Sequence, residues 1–273
     1  MAEKITIAIA QPEISTNVCE NSTSTIKMMT EAQQAGARLI HFPEGSLSGY
    51  CSTQVSDWAD VDWSLLQNEL ETICAHAKTL GLWVVLGCNH NVGEDYRPFN
   101  SLHVISDAGV LSARYDKRFC SHNEITNWYS AGSDPVTFAV DGFRFGCALC
   151  IEVQFPELFQ EYGDLDVDAV LFSAYARDQM FWVQAQGHAA INNYWISVSV
   201  PAQNSSSLAS GLIGPNGHRV DGLGTIAKPD LLVVELDRLD EAFQVALTKA
   251  RPWRREARLG SIYEPKIKER SKL

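Results

Sequence analysis

Nothing in this sequence stays apolar long enough to cross a bilayer. Its longest apolar stretches, residues 82–86 and 168–176, fall far short of the roughly 20 residues that a spanning helix needs. The chain runs from Met1 straight into the alternating segment Ile5-Thr6-Ile7-Ala8-Ile9, which is neither a signal nor a transit peptide, so a cytoplasmic protein is expected. Positive charge is also scarce. The formal net charge is −11, and an acidic body repels a phosphate backbone, which disfavours nucleic acid as a partner. Cysteine pairing is missing as well: seven cysteines, an odd number without framework spacing, indicate reduced thiols. The glycosylation-like triplets beginning at Asn21 and Asn204 are chance matches in such a compartment. Seven isolated histidines give no H-x-x-x-H pattern and no Cys/His cluster, so neither a zinc site nor a papain-like pair is expected. No metal and no cofactor is expected. No linker, low-complexity stretch or short-period repeat divides the chain.

What is present is an ordinary globular composition, 45% hydrophobic and 20% charged over 273 residues. A chain of this length buries its core without a disulfide or metal staple. Strand-like segments recur at residues 5–11, 38–43, 82–88, 101–106, 136–140, 144–149, 169–174, 195–200 and 231–236. Asp141-Gly142 lies between two of them and reads as a hairpin turn. Helical spacing covers residues 22–35, 63–80 and 178–192. Early βα alternation followed by hairpins indicates α/β with a mixed sheet. Charge is uneven: from Arg251 onward there are eight Lys/Arg against three Asp/Glu, a segment suited to packing on its own acidic body or on a partner subunit.

Three segments carry the chemistry. An apolar strand ends at Cys150, a polar turn follows, and Pro156 can open a helix. A thiol at such a strand end sits partly exposed near backbone N–H groups, an environment that favours thiolate. Cys147 lies inside the strand as ordinary core, although Cys147-Ala-Leu-Cys150 also spells the C-x-x-C of a redox pair. Leu39-Ile-His-Phe-Pro-Glu44 is a buried strand running into a turn with a carboxylate at its mouth, and Ala113-Arg-Tyr-Asp-Lys117 is a strand end presenting a lysine. A cysteine nucleophile needs a proton acceptor and a group to stabilise negative charge, and these two supply what histidine does not.

In order and wording these segments resemble the nitrilase, or carbon–nitrogen hydrolase, superfamily. Its Glu motif falls on Phe42-Pro-Glu44 through Gly49-Tyr50, its Lys motif on Tyr115-Asp-Lys117, and its Cys motif on Cys150-Ile-Glu152 with Phe155-Pro-Glu157. Similarity continues in Ile7-Ala-Ile-Ala-Gln-Pro12, Ser130-Ala-Gly132, Val140-Asp-Gly142, Ser210-Gly-Leu-Ile-Gly-Pro-Asn-Gly217 and Arg251-Pro-Trp-Arg-Arg255. The resemblance implies a four-layer αββα sandwich, two mixed β-sheets flanked by helices. It implies one domain over residues 1–263, with 264–273 as a tail that serves an oligomer arm in a homodimer or higher homo-oligomer. It also implies that Cys150 attacks a carbonyl or nitrile carbon, that Glu44 is general base and acid, and that Lys117 and the backbone N–H of Ile151 hold the oxyanion.

The family's second glutamate is assigned to Glu124, the only acidic residue in 118–132. Tyr50, Ile151, Ala174, Tyr175 and Arg177 are the substrate-binding candidates. Members acting on carbamoyl amino acids or ω-amides commonly carry an Arg just after the Cys. Here Val153-Gln154 offers none, which weighs against an anionic substrate unless Arg177 substitutes. The family's Glu-Asn near the end of the third helix is replaced by Asn192-Asn193. The leading expectation is an amidase releasing ammonia from a small amide. A nitrilase, whose nucleophile usually sits in C-W-E, a carbamoyl hydrolase, a non-catalytic binding protein and a redox sensor using Cys147/Cys150 are the alternatives.

Overall fold

The structure, a computed structural model, describes residues 2–93 and 96–263. Two six-stranded mixed sheets form its centre. The first contains β1 (Lys4–Gln11), β2 (Leu39–His41), β3 (Trp83–His90), β4 (Phe99–Ile105), β5 (Leu111–Asp116) and β12 (Asp230–Asp237), in the order β12-β1-β2-β3-β4-β5. The second contains β6 (Thr137–Val140), β7 (Phe143–Leu149), β8 (Ala169–Ser173), β9 (Trp195–Ser199), β10 (Gly211–Ile213) and β11 (Arg219–Gly222), in sequential order. The parallel pairs β1–β2–β3 and β7–β8–β9 are bridged by helices: α1 (Val18–Gln34) and α2 (Trp63–Leu80) in one half, α3 (Pro156–Asp164) and α4 (Met180–Asn192) in the other. The same βαβαβββ order therefore occurs twice, with β12 and β6 as antiparallel outriders of β1 and β7. This long-period repeat escapes a search for short ones.

Three apolar layers separate the four structural ones. Ile7, Leu102, Phe145, Leu171 and Trp195 belong to the core between the sheets. Ile40, Met29 and Ile73 pack sheet one against α1 and α2, while Phe159, Phe172 and Ala185 pack sheet two against α3 and α4. A parallel strand covered on both faces must be apolar on both, which is why β8 reads Ala-Val-Leu-Phe-Ser with every residue buried. The expected four-layer αββα sandwich is what the chain forms.

Local chemistry explains the boundaries. Asp62 caps α2 by accepting from Leu65 N, and Gly81 ends it in the left-handed region at φ 60°. Helix α1 starts four residues earlier than its apolar spacing indicates, because Asn17 accepts from Cys19 N and Glu20 N. Asp141 and Gly142 both have positive φ, 48° and 81°, as a two-residue hairpin turn requires. Asn21 and Asn204 are buried, so their triplets offer no modification site.

A final helix, α5 (Arg251–Leu259), carries most of the described part of the basic segment. Arg251 and Arg255 pair with Asp166, Arg258 pairs with Asp164, and Arg254 donates to carbonyls at the end of α4 and to Asn193 Oδ1. This segment packs on its own acidic body. Arg258 also donates to Asn192 Oδ1 at 2.8 Å, so the Asn-Asn pair is held by arginines. The tail of residues 264–273 lies outside the described residues.

Candidate active site

The site gathers where both sheets end. Beyond β2 the chain stays attached to β3 through Phe42 N→Val85 O (2.8 Å) and Leu47 N→Gly87 O (2.9 Å), which fixes the turn that carries Glu44. Lys117 follows β5 directly and is still tied to β4 by its N–H on Asn100 O (2.8 Å). Cys150 follows β7 and adopts φ 48°, a left-handed conformation that is costly for a residue with a Cβ. It opens a short 3₁₀ turn, Cys150–Gln154, followed at once by α3 with Pro156 in its first turn.

Glu152 holds that turn in place. Its buried carboxylate accepts from Leu149 N (2.7 Å), Arg118 N (2.7 Å), Phe119 N (3.1 Å) and the Tyr115 hydroxyl (2.8 Å). One side chain thus joins the Cys150 turn to the segment just after Lys117. The motif names Glu152, but four simultaneous donors are visible only in three dimensions.

The ionisable groups form one buried network. Lys117 Nζ donates to Glu44 Oε1 at 2.8 Å and to Glu124 Oε1 at 2.7 Å, with all three side chains almost inaccessible. Asn100 Nδ2 donates to Glu44 Oε1 at 2.7 Å and, more weakly, to Glu124 Oε1 at 3.5 Å. Tyr175 N–H donates to Glu44 Oε2 at 2.9 Å. Glu124 further accepts from Ser121 N (2.7 Å) and from the Tyr50 hydroxyl (3.1 Å). Asn100 is a site residue the sequence does not flag, since a polar residue inside a strand ordinarily faces solvent.

Burial alone would strip the proton from Lys117, but Glu44 and Glu124 outweigh it and hold the ammonium well above its usual range. Glu44 is pushed upward, first by burial and then by the Glu124 charge, with Lys117 opposing. Burial also acts on Glu124, yet Lys117 and the Ser121 bonds prevail and its value falls. The two carboxylates on one ammonium thus have proton affinities driven apart. Cys150 departs from expectation. Burial and the Glu44 charge raise its thiol well above the ordinary value, although Lys117 and a contact from Tyr175 N–H oppose them. Only 9% exposed, it rests as a neutral thiol rather than a thiolate.

Tyr50 and Tyr175 stack face to face, with ring centroids 4.7 Å apart and planes at 7°. The Tyr175 hydroxyl accepts from Gln54 Nε2 (2.8 Å) and Gln203 Nε2 (3.4 Å), and both amides also donate to Ile14 O. The pair is therefore a fixed wall. Ala174 is buried, with its N–H on Ser199 O at 2.9 Å. Ile151 occupies the first turn after Cys150, where a helix supplies no internal acceptor for an N–H. Arg177 is exposed and donates to Asn204 Oδ1 at 2.9 Å. Cys147 belongs to the layer between the sheets and Cys150 to the layer beneath α3 and α4, and both are free thiols. That separation removes the basis of a C-x-x-C redox pair.

The family model of carbon–nitrogen hydrolases matches residues 6–242. The chain belongs to that family. As a carbon–nitrogen hydrolase it is an enzyme that acts on C–N bonds. It is 28% identical over 262 residues to a hydrolase of Mycobacterium tuberculosis, covering 85% of this chain and 89% of that one. It is 22% identical over 257 residues to an omega-amidase of Homo sapiens, covering 87% and 91%. In fold it is similar to an amidase from Nesterenkonia sp. (TM-score 0.77, 19% identity, 87% and 92% covered). A mutant of the Nesterenkonia sp. AN1 amidase, shown with the acetamide moiety of fluoroacetamide added covalently at its active site cysteine, matches at TM-score 0.77 and 20% identity, with 90% and 93% covered. No described helix of the present chain is long and apolar enough to cross a membrane.

Proposed function

We propose that this hydrolase is an amidase that releases ammonia from a small uncharged amide through a Cys150 thioester. The observation that carries the reading is the buried Lys117 ammonium shared by Glu44 and Glu124, with the buried Cys150 thiol, its proton affinity raised by burial, in reach of all three charges. A neutral thiol needs a base, and Glu44 is the carboxylate with raised proton affinity. Glu44 takes the thiol proton as sulfur bonds to the amide carbon. The oxyanion that forms is met by Lys117 and the Ile151 N–H. Glu44 returns the proton to nitrogen, the C–N bond breaks, and ammonia leaves. Water then gives its proton to Glu44, attacks the thioester, and restores the thiol while releasing the acid. Glu124 keeps Lys117 charged and in place throughout.

The uncharged substrate follows from the charges near the thiol. Those acting on Cys150 are Glu44, Lys117 and Glu124, so the single cation is outnumbered by two carboxylates and keeps one N–H for the oxyanion. Arg177 is engaged by Asn204 instead. A substrate carboxylate would meet net negative charge. Tyr50 and Tyr175 form an aromatic wall for a short acyl group.

An ammonia-release screen of short amides, ω-amides, carbamoyl compounds and nitriles, with intact-mass detection of the acyl-enzyme, tests this. Wild type acylates at Cys150 and Cys150→Ala loses turnover. Turnover that survives Cys150→Ala refutes the reading, and preference for an ω-amide over its neutral counterpart refutes the substrate class.

We further infer a cytoplasmic homodimer. Met180, Val183 and Ile191 leave an apolar stripe on α4 exposed at 53%, 54% and 57%. A second copy laid across α4 covers it. Light scattering showing a monomer at micromolar concentration rejects this.

A further inference from the structure

His41 crosses the largely apolar core between the two sheets. This histidine lies on β2, is fully buried, and sits three residues before Glu44. Its Nε2 lies 2.8 Å from Ser173 Oγ on β8, and its Nδ1 lies 2.8 Å from Ser197 Oγ on β9. Ser173 Oγ in turn donates to Phe42 O at 2.8 Å. A hydroxyl has one proton to give, and that of Ser173 is committed to Phe42. The imidazole must therefore donate at Nε2, which leaves Nδ1 as a lone pair for the Ser197 hydroxyl. The hydrogen-bond network assigns this tautomer. Burial pushes the ring down to about 3, so it stays neutral wherever the enzyme works.

β2 and β8 hold equivalent places in the two halves of the fold. Two residues beyond Ser173 comes Tyr175, whose N–H binds Glu44 Oε2 at 2.9 Å, and Ser173 itself pairs across the sheet with Leu149, the residue before Cys150. A closed circuit results. It runs from His41 to Ser173, along the chain to Tyr175, across to Glu44, and back through Phe42 to His41. By contrast Ser199 Oγ→Ala10 O, 2.7 Å, also joins the sheets but lies on no such circuit.

We propose that His41 is a positioning residue whose Nε2–H bond to Ser173 sets the spacing between the base on one sheet and the nucleophile on the other. The assignment rests on reading Glu44 as base and Cys150 as nucleophile. A core histidine that only stabilises the fold would affect unfolding alone. One that sets this spacing changes how readily Cys150 loses its proton.

The test is the rate of alkylation by iodoacetamide, itself a small amide, with each cysteine followed by peptide mass. Exposed Cys19 reports reagent and solution conditions, and buried Cys147 reports loosening of the fold. His41→Phe lowers the Cys150 rate about tenfold or more, as a displacement near 1 Å does to an oriented pair, while Cys19 is unchanged and Cys147 stays silent. His41→Gln, whose amide reaches the Nε2 position, recovers most of the rate. His41→Asn, which reaches only the Nδ1 position, does not. Ser173→Ala repeats the His41→Phe loss and replaces it as the test if the Phe variant fails to fold. A wild-type Cys150 rate in His41→Phe, equal rescue by Asn and Gln, or a loss matched by Cys147 labelling overturns the proposal. Glu44→Gln separates the two levels. If it leaves the Cys150 rate unchanged, the base assignment fails. If it slows Cys150 while His41→Phe does not, only the role of His41 falls.

Discussion

Glu44 and Glu124 accept from the same Lys117 ammonium, at 2.8 and 2.7 Å, yet their proton affinities are driven in opposite directions. Each has two further close donors, Ser121 N–H and the Tyr50 hydroxyl on Glu124, Asn100 and Tyr175 N–H on Glu44. On Glu124 the Lys117 charge and the Ser121 bonds outweigh burial, whereas on Glu44 burial and the Glu124 charge outweigh Lys117. One carboxylate is thereby fixed as an anion, and the other is left free to exchange a proton.

A pH–rate profile reads this directly. Glu44 must be ionised to act as base, so kcat/KM falls as pH drops through its raised value, with a midpoint above the ordinary 4.5. Glu124→Gln removes a repelling charge and leaves Lys117 to Glu44 alone. Both changes lower the Glu44 value, and the acid limb moves to lower pH. A limb that stays in place in that variant contradicts the coupling. Stability shows the opposite signs. The depressed value of Glu124 contributes stability present above 4.5 and lost as pH falls through its folded value, while the raised value of Glu44 contributes stability lost as pH rises through its own.

Lys117→Met leaves two buried carboxylates without their cation. Breaking a buried pair from one side costs about 3–5 kcal/mol, measurable as a lower urea midpoint at neutral pH. Lys117→Arg fails to restore either stability or turnover, because a planar fork does not fit the single point where both Oε1 atoms converge.

Glu152→Ala removes the acceptor of three backbone N–H groups and of the Tyr115 hydroxyl. Each buried donor left without a partner costs about 1–3 kcal/mol. Denaturant melts should show a loss of several kcal/mol, and Cys150 alkylation should slow even in the fraction that remains folded. Wild-type alkylation in the folded protein would show that the turn keeps its shape without this carboxylate.

Gly87→Ala tests the support behind Glu44. A Cβ there would collide with Pro43 O and stand 2.6 Å from Gly45 N and 3.0 Å from Glu44 C. Overpacking of this kind costs about 1–3 kcal/mol and displaces the backbone. Turnover is expected to fall about tenfold or more, with the unfolding midpoint lowered less than in Lys117→Met.

Much of this was legible in the sequence, for reasons that differ from element to element. Helix α2 could be bounded because Leu66, Leu70, Ile73 and Ala77 mark its buried face and Asp62 and Gly81 mark its ends. The strand ends at Glu44 and Cys150 stood out because a turn follows an apolar run, and Lys117 because it closes a strand-like segment. β10 and β11 were not counted among the strands: Gly211, Gly222 and the exposed Arg219 and Asp221 interrupt any apolar run, whereas the equally short β2 and β6 sit in longer apolar segments. The early start of α1 was hidden because its first turn is polar, with Asn21 and Ser22 buried against other parts of the chain. The protonation of Cys150 was misjudged for a related reason. Proximity of an ammonium can be guessed from motifs, but burial and the two opposing carboxylates are properties of the assembled site. His41 carried no signal, since its partners lie 132 and 156 residues away.

The doubled βαβαβββ order has a consequence for how activity is inherited by the chain. Glu44 and Lys117 come from the first repeat and Cys150 and Tyr175 from the second, so under the proposed mechanism neither half holds the full set of groups. Cut between β5 and β6, the protein would yield two fragments that complement one another only by returning β12 to β1 and rebuilding the face between the sheets. Turnover by this enzyme is in that sense an assay of docking: the reaction reports that two separately wound halves have found their common register.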